Sequence, residues 1–184
     1  PLMDYSPRSH QGPMHAWLRR HRKCALHAGC GTGKTVVVAT HILESLEDRF
    51  DSERWLIVGP KLVAEDVWAR EFSKWNHLRH IAPRLITAED IGLREPTPVE
   101  VAATDDGALR FVDAKATAQR LLSLASPVHV TSYNTFPWLV KALGKKLPYD
   151  GIVYDESTFL KSHKSERYRA AKWIADKAPR AEQI

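Results

Sequence analysis

Along this chain, short apolar runs alternate with stretches in which apolar residues recur at helical spacing. The runs are 24–27, 55–58, 84–86, 128–131 and Gly151–Tyr154. Between them, Thr35, Val38, Ala39, Ile42, Leu43 and Leu46 form the stripe of a helix with one buried face. Val67, Trp68, Glu71, Phe72 and Trp75 mark a second helix over 63–75, entered from the strand stop Gly59-Pro60. Further helices are predicted over 14–21, with Trp17 and Leu18 turned inward, and over 115–124, 135–143 and 167–177. Strand and helix in alternation predict an α/β fold around a mainly parallel central sheet. Residues 96–126 fit this rhythm least. There, 99–103 and 108–112 flank Asp105-Asp106-Gly107, which reads as a hairpin turn within an insertion.

With 184 residues and 43% hydrophobic content, the chain is sized for one domain with its own core, spanning 1–184. No apolar run approaches the roughly 18–20 residues needed to cross a bilayer. The start, Pro1-Leu2-Met3-Asp4, lacks the basic and apolar pattern of a signal peptide, and opening on Pro suggests trimming. Net charge is +5, with part of the surplus in Arg19-Arg20-His21-Arg22-Lys23. A basic surplus favours a polyanionic partner, although such a cluster also suits a solvated helix end. The two cysteines, Cys24 and Cys30, match no zinc pattern or disulfide framework, which points to a reducing, cytoplasmic setting. The nine histidines show no paired-ligand spacing, so no metal beyond magnesium is expected.

Two motifs carry the chemistry. The first is Ala28-Gly29-Cys30-Gly31-Thr32-Gly33-Lys34-Thr35, set between an apolar strand and an amphipathic helix. Glycines let backbone N–H groups close round an anion, and the helix N-terminus adds its partial positive charge. Lys34 can reach the β- and γ-phosphates of ATP, and the Thr35 hydroxyl can ligate Mg2+. Ala28 stands where the strict phosphate-loop pattern has glycine. A Gly-rich turn alone need bind nothing; strand, helix and the Gly-Lys-Thr ending together specify a phosphate loop. The second motif is Asp155-Glu156, which follows Gly151–Tyr154. In open α/β sheets ligands sit beyond the carboxyl ends of strands. Asp155 is therefore the candidate Mg2+ ligand and Glu156 the candidate activator of the attacking water.

With these motifs placed, the chain resembles the N-terminal RecA-like lobe of a superfamily 2 helicase or translocase, closest to the Swi/Snf-type ATPases and their bacterial and phage relatives. The form A-x-x-G-x-G-K-T is typical of that superfamily. Residues 5–11 with Trp17-Leu18 look like the adenine-recognising segment, in which Gln11 would read the base. Gly59-Pro60-Lys61 with Trp68, Glu71 and Trp75 looks like motif Ia, and Thr131-Ser132-Tyr133 like motif Ib. Asp155 to Ser162 looks like motif II, with Ser157 and Thr158 in place of the usual Ala-Asp or Ala-His.

The resemblance implies a three-layer RecA-like domain that binds ATP and Mg2+ and hydrolyses ATP when stimulated by nucleic acid, double-stranded DNA above all. It implies Gln11, Gly29, Cys30, Gly31, Thr32, Gly33, Lys34 and Thr35 at the nucleotide. Lys34, Asp155 and Glu156 would be catalytic, with Thr35 and Asp155 at the metal. Lys61, Thr131 and Ser132 would make sequence-independent contacts to the DNA backbone, while Trp68, Phe72 and Trp75 read as core packing rather than base-stacking groups. Motif III would begin just after Ile184, so the second lobe and its arginine finger are expected to be missing and the lone lobe nearly inactive. The competing readings are an RNA helicase lobe, a P-loop kinase or small-molecule ATPase, and a scaffold without turnover. Intact Lys34, Thr35, Asp155 and Glu156 weigh against the last.

Overall fold

The computed structural model describes residues 2–29, 31–48, 53–92, 114–144, 147–175 and 180–183; the hairpin expected within 96–112 and Cys30 lie outside them. Six strands run in chain order: β1 Lys23–Ala25, β2 Trp55–Gly59, β3 Arg84–Leu85, β4 Val128–Ser132, β5 Gly151–Tyr154 and β6 Arg180–Gln183. They form one sheet in the order β1-β6-β5-β2-β4-β3, and every pairing is parallel. The helices are α1 Gln11–Arg20, α2 Lys34–Asp48, α3 Trp68–Lys74, α4 Ala114–Ser123, α5 Phe136–Leu143 and α6 Glu166–Ala175. A wide π-helical turn, Val63–Val67, leads into α3. None of the described helices is long and apolar enough to cross a membrane.

Burying both faces of a parallel sheet requires apolar residues at every strand position. Strands β2 and β5 meet that requirement, all their residues being buried. Trp55 and Ile57 of β2 and Val153 of β5 pack with Val37, Val38 and Ile42 of α2, Leu18 of α1, and Trp68 and Phe72 of α3. Their neighbours Leu56, Val58, Ile152 and Tyr154 face the opposite layer, where Leu121 of α4, Phe136 and Leu139 of α5 and Ile174 of α6 cover them. The result is three layers, helix–sheet–helix. Gly151 is paired with Trp55. A Cβ at Gly151 would lie 2.4 Å from that indole, so only glycine lets the tryptophan lie flat across β5.

Two expectations are corrected here. Trp17 does not face inward: it is 46% exposed, while Leu18 is 2% exposed. Adjacent helical residues point about 100° apart, so one face cannot take both; Trp17 instead lies against the His21 ring, 3.8 Å away. Strand β6 falls where no strand was expected.

Candidate nucleotide site

Sheet order determines what meets at the carboxyl edge. The segment after β1 becomes the glycine loop and then α2, while β5 runs directly into Asp155. Only β6 separates β1 from β5, so loop and acid stand about two strand spacings apart, roughly 10 Å. That gap suits a chain of phosphates.

Gly31 and Gly33 adopt φ of +75° and +76°, a region that side-chain-bearing residues seldom occupy. Around Gly31 there is open space, whereas a Cβ on Gly33 would fall 2.4 Å from Gln11 Nε2. The glycine thus makes room for Gln11, which starts α1. Gln11 is 5% exposed and bridges two segments. Its Nε2 donates to the Thr32 carbonyl at 3.2 Å, and its Oε1 accepts from the Arg8 N–H at 2.9 Å. His10 adds a second contact to the same carbonyl, Nε2 to oxygen, at 3.0 Å. Both ends of the Gln11 amide are thus engaged in bracing the loop. Tyr5, at the start of the same segment, stacks on His77 at 5.1 Å and meets the edge of Trp75.

Lys34 opens α2 and turns back over the loop, donating to the carbonyls of Ala28 at 2.8 Å and Gly29 at 3.0 Å. These contacts occupy an ammonium group that a triphosphate would compete for. Thr35 follows in the first turn of α2, and Thr32 Oγ1 donates to the Gly29 carbonyl at 2.9 Å.

Across the edge, Asp155 is half-buried. Burial raises its pKa, the Trp68 hydrogen bond opposes that rise, the Glu156 charge reinforces it and the Lys34 charge works against it. The indole Nε1–H of Trp68 donates to Asp155 Oδ2 at 3.0 Å. Trp68 is fully buried at the end of the π-helical turn, and that turn's extra residue sets the angular position from which α3 aims the indole. Gly59 lies alongside: a Cβ there would meet Asp155 Cβ at an ordinary contact distance of 3.6 Å. On the other side, the Tyr133 hydroxyl donates to the Asp155 carbonyl at 2.9 Å. Burial raises the Tyr133 pKa far above its ordinary value, so the phenol stays a donor. Glu156 then takes a left-handed backbone, φ 52° and ψ 57°. This costs a non-glycine residue about 1–2 kcal/mol, and its side chain turns out to solvent beside Asp155.

The expected nucleic-acid contacts divide. Lys61 is exposed, with Glu65 Oε1 3.8 Å from its Nζ. Ser132 lines the groove beside it but also accepts the Thr135 N–H at 3.2 Å, capping the approach to α5. Thr131 is 0% exposed, paired inside β4, and its hydroxyl faces the core. A strand side chain buried like this is not placed to reach a phosphate, contrary to the expectation for Thr131. The groove near Lys61 contains residues that no spacing singled out. Phe159 stacks on Tyr133 at 5.3 Å and 7° between planes. Arg167 lies 5.9 Å over Phe159 and donates to Asn134 Oδ1 at 2.7 Å.

The model of the SNF2-related domain matches residues 10–178, nearly the whole described chain. The chain belongs to the SNF2-related domain family. A putative protein p41 from Acyrthosiphon pisum secondary endosymbiont phage 1 is 28% identical over 161 residues, which is 88% of this chain and 30% of that protein. The SNF2-related fold is likewise that of solved helicase cores. The Sulfolobus solfataricus SWI2/SNF2 ATPase core in complex with dsDNA superposes with a TM-score of 0.65 at 16% identity, over 97% of this chain and 31% of that one. The UvsW helicase from bacteriophage T4 gives 0.64 at 15% identity, over 97% and 52%. A nuclease-deletion mutant of the Type ISP restriction-modification enzyme LlaGI in complex with a DNA substrate mimic gives 0.57 at 17% identity, over 97% and 17%. The chain spans about a third of the phage relative and of the Sulfolobus core, and it is an N-terminal RecA-like lobe of the superfamily 2 type.

Proposed function

We propose that this lobe binds ATP with Mg2+ and contributes the phosphate loop and acidic pair to a translocase stimulated by double-stranded DNA. The observation that carries the reading is the glycine loop with Lys34 facing a braced Asp155 across a single intervening strand. The residues fit the ligand: an open cradle at Gly31, an ammonium group on exchangeable carbonyl contacts, and a carboxylate whose second oxygen is free of the indole bond.

In this reading Lys34 leaves its carbonyls for the outer phosphates, Gly31 to Thr35 supply N–H groups, and Thr35 with Asp155 holds the metal. Gln11 fixes the loop and the purine side of the pocket. Glu156, exposed next to Asp155, orients the attacking water and accepts its proton. Thr35 and Asp155 would hold Mg2+, whose charge would offset that of the phosphates. A second lobe would supply the arginine that closes the site, worth ~10³–10⁵ in rate where such fingers have been measured. Duplex DNA would lie along the groove of Lys61, Asn134, Phe159 and Arg167 and be held through its backbone, with sequence-independent, salt-sensitive affinity. Family membership and the dsDNA complex named for the Sulfolobus relative support the choice of duplex DNA over RNA.

Thermal unfolding with and without ATP-Mg tests the phosphate assignment. ATP should raise the midpoint of the native chain and leave Lys34→Ala unmoved; an equal rise in both removes Lys34 from the phosphates.

A further inference from the structure

Where α1 packs on α2 lies a partly buried polar cluster, remote from the acidic pair. His15 of α1 meets His41 and Glu44 of α2, and one ligand atom from each lies within 4.8 Å of the others. His15 Nε2 is already 3.1 Å from Glu44 Oε2. The two imidazoles stand edge to face, centroids 6.1 Å apart and planes at 78°. His41 is 7% exposed, and its other side meets the edge of the buried Trp55 ring at 6.0 Å. His41 and Glu44 are three residues apart, so the helix itself places both on the face toward α1.

The geometry points to a divalent transition-metal site at His15, His41 and Glu44, with zinc the favoured ion. Two imidazoles and one carboxylate form a borderline-soft N2O set that zinc accepts, leaving a fourth position for water. Ligand atoms in a tetrahedral zinc centre sit about 3.4 Å apart, given bonds of about 2.0–2.1 Å. The His15–Glu44 pair already meets that spacing, and closing the rest asks for a side-chain movement of about 1.4 Å or less. A floor of indole and helix side chains limits solvent and strengthens the ion's hold. Arg19 Nε, 3.9 Å from the Glu44 carboxylate, is the resident cation such an ion would displace. The site would staple α1 to α2. Since α1 begins with Gln11 and α2 with Lys34, it would fix the two elements that frame the glycine loop. The inference stands on helix packing and does not depend on nucleotide binding.

Calorimetric titration of the 184-residue chain with Zn2+ against a chelator of known affinity, paired with the absorption spectrum of the Co2+ form, tests this. One ion per chain, visible bands of a four-coordinate cobalt centre, and a loss of at least tenfold in affinity in each of His15→Asn, His41→Asn and Glu44→Gln are expected. Folding of each variant is checked by circular dichroism. If a variant misfolds, the native chain's cobalt spectrum decides alone, and a six-coordinate aquo-like spectrum overturns the site. So does retention of full Zn2+ affinity in folded variants, which would assign the ion to other histidines.

Discussion

Replacing Trp68 by Phe removes one proton donor from Asp155 while keeping an aromatic ring in the core. The bond lost is a 3.0 Å N–H to a half-buried carboxylate. Removing a hydrogen bond to a charged group in such a setting costs about 1–2 kcal/mol, or roughly 5- to 30-fold in an equilibrium that needs the ionised form. Mg2+ coordination is that equilibrium, whereas phosphate gripping by Lys34 and the loop is not. Trp68→Phe should therefore leave Mg2+-free ATP affinity unchanged and, at pH values where the free Asp155 is protonated, shrink the increment that Mg2+ adds by up to that factor. Burial already raises the Asp155 pKa and the indole bond opposes the rise. The variant should thus lose its Mg2+ increment at a higher pH than the native chain as pH falls. Fluorescent-nucleotide titrations with and without Mg2+, from pH 5 to 8, measure both. Identical increments and identical pH midpoints would refute the view that Trp68 tunes Asp155. The ring contraction itself leaves a small void worth about 1 kcal/mol, so titrations belong well below the unfolding range.

The remaining predictions concern the loop, the core and the groove. Gly33→Ala combines a φ of +76° with a Cβ 2.4 Å from Gln11 Nε2. It should cost more than the ~1–2 kcal/mol of backbone strain alone, and more than Gly31→Ala, where space is open; equal losses in denaturant melts would deny the Gln11 contact. His129 is fully buried with Tyr149 Oη 2.9 Å from its Nδ1, and burial lowers its pKa from 6.5 to about 4. Folding favours the neutral ring, so this contribution is complete above pH 6.5 and fades as pH falls toward 4. About 2 kcal/mol should go between pH 7.5 and 5, and His129→Gln should flatten that slope in urea melts; parallel slopes would count against it. Lys61→Ala and Arg167→Ala should each reduce the salt dependence of duplex binding by about one counterion. Thr131→Val should not change it, and a change there would mean β4 opens on binding.

Much of this molecule was visible in its residue pattern because the motifs coincide with local elements. Gly151–Tyr154 is continuously apolar and ends in two acids, so its bounds and those of the observed strand agree. The helix after the glycine loop is equally plain, since its stripe repeats from Thr35 to Leu46 within a helix of 15 residues. Strand β6 was hidden because Arg180, Ala181, Glu182 and Gln183 show neither apolarity nor alternation; pairing between β1 and β5 makes the strand, a tertiary effect. Thr131 looked like a surface contact because motif resemblance carries no information on burial. The Trp68–Asp155 bond and the cluster of His15 with His41 and Glu44 join distant residues, and only the packing of α3 and α1 brings them together.

The ring of Phe159 rests on Tyr133, and the Tyr133 hydroxyl holds the main chain of Asp155. The outer groove and the inner acid are thus linked through a single phenol. On the proposed function, a polyanion that tilts Phe159 would reach the carboxylate's own peptide through that phenol. If duplex DNA stimulates this lobe as proposed, the signal would have a path to the acid only two side chains long.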